Sequence, residues 1–191
     1  MKKYTLIAII LFASAVAHSQ TADAVLNKRL ANYMAWSKDM KIDLLLDYMY
    51  PRIFEIAKKE QLKEVLEKAY NNADFEIKLD SISLGKVLPI SKFSKGSFTR
   101  FGYFVKMSMK PVSDEYKDRT DILLQSFKTS FGEDNVTYDE ASATFLITQN
   151  KEALAIKDDY SKNVWTMIGL EKNPGINYIL PAEIKKKYQI E

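Results

Sequence analysis

The chain reads as an α+β protein, N-terminal helices followed by an antiparallel sheet, and three observations predict it. Apolar residues recur every three or four positions as far as Tyr70, which is the period of a helix with one covered face. From Phe75 onward they alternate with polar residues, the period of a strand. A helical period returns over residues 113–131, and the apolar stretches that follow it are separated by short polar turns such as Asn150-Lys151 and Asp158-Asp159, suited to hairpins.

The elements follow in order. Over residues 22–33, Leu26, Leu30 and Tyr33 share one helix face. Ser37 is placed to cap a second helix whose stripe runs through Ile42, Leu45, Leu46, Met49 and Ile53. Pro51 lies within that stripe; it removes a backbone donor and crowds the preceding turn, so the helix kinks or starts afresh there. Residues 59–70 make a third helix, with Leu62, Val65, Leu66 and Ala69 inward and a Glu64 to Lys68 ion pair outside.

Phe75, Ile77 and Leu79 then alternate with Glu76, Lys78 and Asp80, after which the apolar phase moves to Ile82 and Leu84. A one-residue slip turns a strand's inner face outward unless a bulge absorbs it, which predicts a bulge at Asp80 and Ser81. After turn material at residues 94–97 comes the clearest strand. Phe101, Tyr103, Val105, Met107 and Met109 lie on one face; Arg100, Gly102, Lys106, Ser108 and Lys110 lie on the other. Phe104 breaks the pattern and implies that the outer face is partly covered, and Pro111 closes the strand. Tyr116, Leu123, Phe127 and Phe131 place a helix over 113–131, and Gly132 stops it. Strands are expected at 136–139, 143–149, 153–157 and 164–170, joined by hairpins. A turn at Pro174 and Gly175 leads to an extended segment at 176–180. Pro181 opens a last short helix with Ile184 and Tyr188 inward and Lys185, Lys186 and Lys187 as its solvated face.

Residues 1–19 have the pattern of a secretory signal peptide: Lys2 and Lys3, an apolar run over 6–13, and small residues Ala17 and Ser19 placed for cleavage before Gln20. The run is too short for a bilayer span and is followed by Ser14 and His18; with no cysteine to carry a lipid there is no stable membrane anchor. The expected location is periplasmic or secreted, as a single domain over 20–191. An exported chain of this kind without cysteine points to a bacterial source. Cleavage removes the only histidine, so thiol and imidazole chemistry and Cys or His metal sites fall away together. No metal and no cofactor is expected. Lys2 and Lys3 leave with the leader, which brings the formal net charge of +3 close to neutral and gives no reason to expect nucleic acid. No phosphate-cradling glycine motif occurs. The acidic corners at Asp139-Glu140 and Asp158-Asp159 lack the spacing of a calcium loop and read as exposed turns.

The order helix, helix, strand pair, helix, hairpin-linked strands resembles the NTF2-like, or cystatin-like, superfold over residues 39–170. That resemblance implies a strongly bent antiparallel sheet wrapped around helices as a cone with an apolar hollow. The run from Tyr48 through Pro51 to Phe54, with Trp165 and the segment Leu180, Pro181, Ala182, Glu183, is also similar to small exported bacterial proteins of uncharacterised function. The residues expected to line the hollow are Phe101, Tyr103, Val105, Met107 and Trp165, with no catalytic residue assigned. Trp36, after the first helix, is placed at a loop edge. The leading expectation is a non-enzymatic binder of an apolar small molecule, or of an envelope protein through its sheet. Ketosteroid isomerases share the resembled fold, so one alternative is an isomerase or cyclase pairing Tyr103 with a carboxylate, with Asp80 a candidate base. Another is a structural or stress-related envelope protein that forms a homodimer.

Overall fold

The computed structural model of the chain describes residues 23–170 and 175–190. The expected leader, its cut before Gln20, and Pro174 of the expected turn lie outside the described residues. Three N-terminal helices, an open six-stranded antiparallel sheet and further helices after it make an α+β architecture. No helix among the described residues is long and apolar enough to cross a membrane.

Helix α1 (Ala24–Lys38) begins where Asp23 supplies its cap, Oδ1 accepting the Leu26 backbone N–H at 2.9 Å. It buries Leu26, Leu30 and Met34, so the apolar stripe runs beyond its expected end at Tyr33. Ser37 and Trp36 lie inside this helix; α2 (Ile42–Tyr48) starts only after a turn in which Met40 takes φ 52°, and Ser37 does not cap it. Pro51 makes the fresh start, at the first position of a 3-10 turn over Pro51–Glu55. Helix α3 (Lys59–Tyr70) follows, with the expected Glu64–Lys68 pair at 2.7 Å. Its inward face differs from expectation: Val65 and Ala69 are exposed, and Leu62, Leu66 and Tyr70 are its half-buried apolar and aromatic residues. Ion pairs to α2, Lys59 to Asp47 at 2.5 Å and Lys63 to Asp43 at 2.7 Å, set the helix in that orientation.

The next three strands are β1 (Phe75–Val87), β2 (Ser91–Phe93), which the alternation missed, and β3 (Gly96–Pro111). The register of β1 against β3 slips between Leu79 and Ser81, the predicted bulge at Asp80, and again between Leu84 and Val87. The single helix expected over 113–131 is two, α4 (Asp114–Lys117) and α5 (Thr120–Phe131). Gly132 ends the second with φ 104°, a conformation a side chain would strain. Strand β4 (Val136–Asp139) stands as expected, but β5 (Thr144–Asp158) is one long strand where two were expected. Asn150 and Lys151 pair with Phe104 and Tyr103 instead of turning, because β3 is long enough to offer a partner to every residue of the stretch. Strand β6 (Thr166–Gly169) completes the sheet.

The strand order is β1-β3-β5-β4, with β2 continuing the first edge along β3 and β6 continuing the last edge along β5. Residues 176–180 are not extended. Ile176 and Ile179, three apart, must both reach the core, and α6 (Ile176–Ile179) does this by helical spacing. Helix α7 (Ala182–Tyr188) starts after Pro181 and buries Ile184.

The β2/β6 end of the sheet is covered on both faces. Leu26, Leu30 and Met34 of α1 pack on one face with Phe101, Ala153, Trp165 and Met167. On the other face α6 and α7 pack on Phe98, Leu154, Ile156 and Ile168. This is the cover of the outer face that Phe104 implied, although Phe104 itself stays 38 % exposed. At the opposite end α5 lies on the same face as α1, with Phe127 against both Phe75 and Phe145 at centroid distances of 5.9 and 5.0 Å.

Candidate functional site

Between α1 and α5 the sheet is left without a helix packed directly on it, and a groove of about 350 Å³ opens there. Its floor lies along three rungs of the sheet, of which Leu84 and the buried Ile147 do not themselves line it. Leu84, Tyr103 and Lys151 stand side by side on β1, β3 and β5; Ile82, Val105 and Gln149 form the next rung, and Leu79, Met107 and Ile147 the third. The Asp80 bulge makes this possible, since it brings both Leu79 and Ile82 to the covered face. The walls are Tyr33 and Ser37 from α1, Leu45 and Met49 from the α2 segment, Leu66 and Tyr70 from α3, and Phe131 at the end of α5.

The residues expected to line a hollow divide. Tyr103, Val105 and Met107 line the groove. Phe101 and Trp165 do not: Phe101 is fully buried and Trp165 is 2 % exposed, both packed under α1. The Trp165 indole N–H donates to Asp23 Oδ2 at 3.0 Å, so the ring is locked to the start of α1. Trp36 is half-buried, its ring edge-on to Tyr48 at 4.6 Å.

Sequence reasoning missed the helical walls and the polar pair Gln149 and Lys151. The alternation of Phe145, Ile147, Gln149 and Lys151 carries the signal, but Asn150-Lys151 read as a turn. Tyr33, Leu66 and Tyr70 sit on ordinary apolar stripes; only the missing helix over the middle of the sheet separates them from core. Burial raises the Tyr70 phenol above its usual range.

The groove holds no carboxylate among its described lining residues. Asp80, the candidate base, is exposed at the bulge and accepts a hydrogen bond from the Ser108 hydroxyl at 3.1 Å, on the face turned away from Met107. A second cavity of about 420 Å³ lies between the α1–α2 turn and the end of α3. Lys41, Asp43 and Glu67 line it, so it lacks a continuous apolar floor.

The acidic corners also differ from each other. Asp139 uses its carboxylate within its own turn, accepting from Ala141 N–H at 3.1 Å and the Ser142 hydroxyl at 2.6 Å. Asp158, expected in an exposed turn, is 5 % exposed. Its Oδ2 accepts the buried Tyr50 hydroxyl at 2.7 Å and its Oδ1 the Ser161 N–H at 2.9 Å, because β5 continues to this residue and α7 closes over the strand end. Burial, and then the Asp158 carboxylate, push the Tyr50 phenol far above its usual range. Among the described residues no group of three or more Asp and Glu gathers as a metal site.

Comparison with protein-family models, with curated proteins and with solved structures gives no match.

Proposed function

We propose that the protein is an exported, non-enzymatic domain that holds an apolar small molecule in the groove between α1 and α5. The observation that carries this is the floor itself. Tyr103, Val105 and Met107 form the half-buried, groove-lining middle of a strand face whose two ends are packed under helices. Leaving such a stripe open to water forgoes about 25 cal/mol for each Å² of apolar surface, a cost that a bound ligand recovers. The volume lies near the lower end of the range for ligand pockets, roughly 300–1,000 Å³, and the mix of apolar walls with a few polar groups is typical of them. The element order supports an NTF2-like reading, in which a hollow of this sort is the binding site. The leader pattern of residues 1–19 supports export.

Native mass spectrometry of protein isolated from its own host tests the binding. A bound small molecule is expected, and it is expected to be absent from Val105→Trp, whose indole fills the centre of the floor. Protein with nothing bound, or a ligand retained by Val105→Trp, removes the reading. N-terminal sequencing of the same material should start at Gln20; a chain that keeps Met1 in the cytosol removes the export.

A further inference from the structure

We infer that the molecule held in the groove is uncharged, an apolar chain carrying a hydroxyl or carbonyl group that Tyr70 and Gln149 hydrogen-bond. The inference rests on the binding reading above and names the class of its ligand.

Among the described lining residues, the side chains with nitrogen or oxygen atoms are Tyr33, Ser37, Tyr70, Tyr103, Gln149 and Lys151. Three of them, Tyr33, Tyr103 and Lys151, already interact within the chain. The side chains of the other three make no hydrogen bond among the described residues, and all three are uncharged. Ser37 stands inside α1, where a hydroxyl can turn back on the carbonyl one helical turn earlier. Tyr70 and Gln149 have no such local outlet. Tyr70 is half-buried at the last position of α3, and burial is the sole cause that raises its phenol, with no bonded or charged neighbour contributing. Gln149 is half-buried in the middle of β5, opposite Val105, and offers both amide donors and a carbonyl acceptor. Half-buried polar groups without partners are costly, and a ligand hydroxyl, which donates and accepts, suits both of them.

Charge on the ligand is disfavoured by the same lining. An ion that leaves water for apolar walls needs an opposite charge to replace its hydration. No Asp or Glu among the described lining residues would balance a cation. The one cation there, Lys151, already has an interaction of its own. The rest of the ligand follows from the floor. From Tyr103 to Met107 the strand advances about 13 Å at about 3.3 Å per residue, room enough for an octyl chain lying along it.

Isothermal titration at neutral pH with 1-octanol, octanoate and octylammonium, one chain with three heads, tests this on the protein as its host releases it. Octanol should bind about tenfold or more tightly than either ion, whose hydration the groove does not replace. The double variant Tyr70→Phe/Gln149→Leu should weaken octanol about tenfold, the margin of two ordinary hydrogen bonds. Toluene, which has no polar group, should stay within about twofold and so controls for the groove, while circular dichroism checks that the sheet is intact. If the double variant loses toluene as well, each single variant should still weaken octanol about threefold. An octanol affinity no better than that of either ion, or one untouched by these variants, overturns the uncharged ligand and leaves the binding reading standing. If none of the four probes binds the wild type, the binding reading fails and this inference falls with it.

Discussion

Asp23 shows how one side chain ties two distant parts of the chain together. It caps α1 through one carboxylate oxygen and receives the Trp165 indole through the other. Replacing Asp23 by Ala removes the cap and leaves a buried indole N–H without an acceptor, which should cost about 1–3 kcal/mol in urea denaturation. The Leu26 backbone N–H, above all, holds the Asp23 carboxyl below the usual carboxylate range; burial opposes it, and the Trp165 indole adds to the lowering. A carboxyl whose folded value is depressed contributes stability that is complete above its unfolded value, about 3.9, and is lost as pH falls through the folded value. Wild type should therefore lose more stability than Asp23→Asn between pH 5 and the acid limit, as compared by denaturation midpoints. Parallel pH curves for the two proteins would show that Asp23 is not ionised in this role. The tie from Asp23 to Trp165 was not legible in the sequence, because Trp165 stands just before β6, at the far end of the chain. Asp158 was misread for a similar reason: a pair of aspartates looks like a turn until the length of β5 and the position of Tyr50 are known.

Elements were most legible where their boundaries are local. The bulge at Asp80 follows from a change of phase within one strand, and the stop at Gly132 from a residue free to take φ 104°. The fusion of two expected strands into β5 was not legible, since it depends on β3 standing opposite. Two glycines of β3 separate these cases. A Cβ at Gly96 would sit 2.3 Å from the Lys157 carbonyl oxygen and 2.8 Å from Asp158 Cβ, with a backbone atom that cannot yield. A Cβ at Gly102 would meet nothing nearer than 3.8 Å. Gly96→Ala should destabilise the protein by about 1–3 kcal/mol or more, as overpacking does, while Gly102→Ala should stay within about 0.5 kcal/mol. Thermal unfolding of the pair measures the contrast. Equal melting temperatures would mean that β3 and β5 do not approach closely at Gly96.

At the scale of the whole molecule, stability is distributed unevenly around the groove. Helix α1 buries three apolar side chains, whereas α3 buries none and is held on α2 by ion pairs whose side chains are largely exposed. Exposed pairs of this kind contribute little and weaken further in salt. Amides of α3 should exchange with deuterium well before those of α1, β3 and β5, and 1 M salt should widen the gap. Uniform protection across α1 and α3 would contradict this. Because Leu66 and Tyr70 of α3 form part of the groove wall, the helix expected to exchange first also borders the groove.

By itself the sequence determined the α+β order, the alternating faces of β1 and β3, the bulge at Asp80 and the stop at Gly132, because each is a periodicity or a backbone preference within a few neighbouring residues. Only the tertiary structure decided that Tyr103, Val105 and Met107 face a groove while Phe101 and Trp165 face packed side chains. All five carry the same apolar signal in the chain. What separates them is which helix lies across them, and that depends on residues far away in sequence.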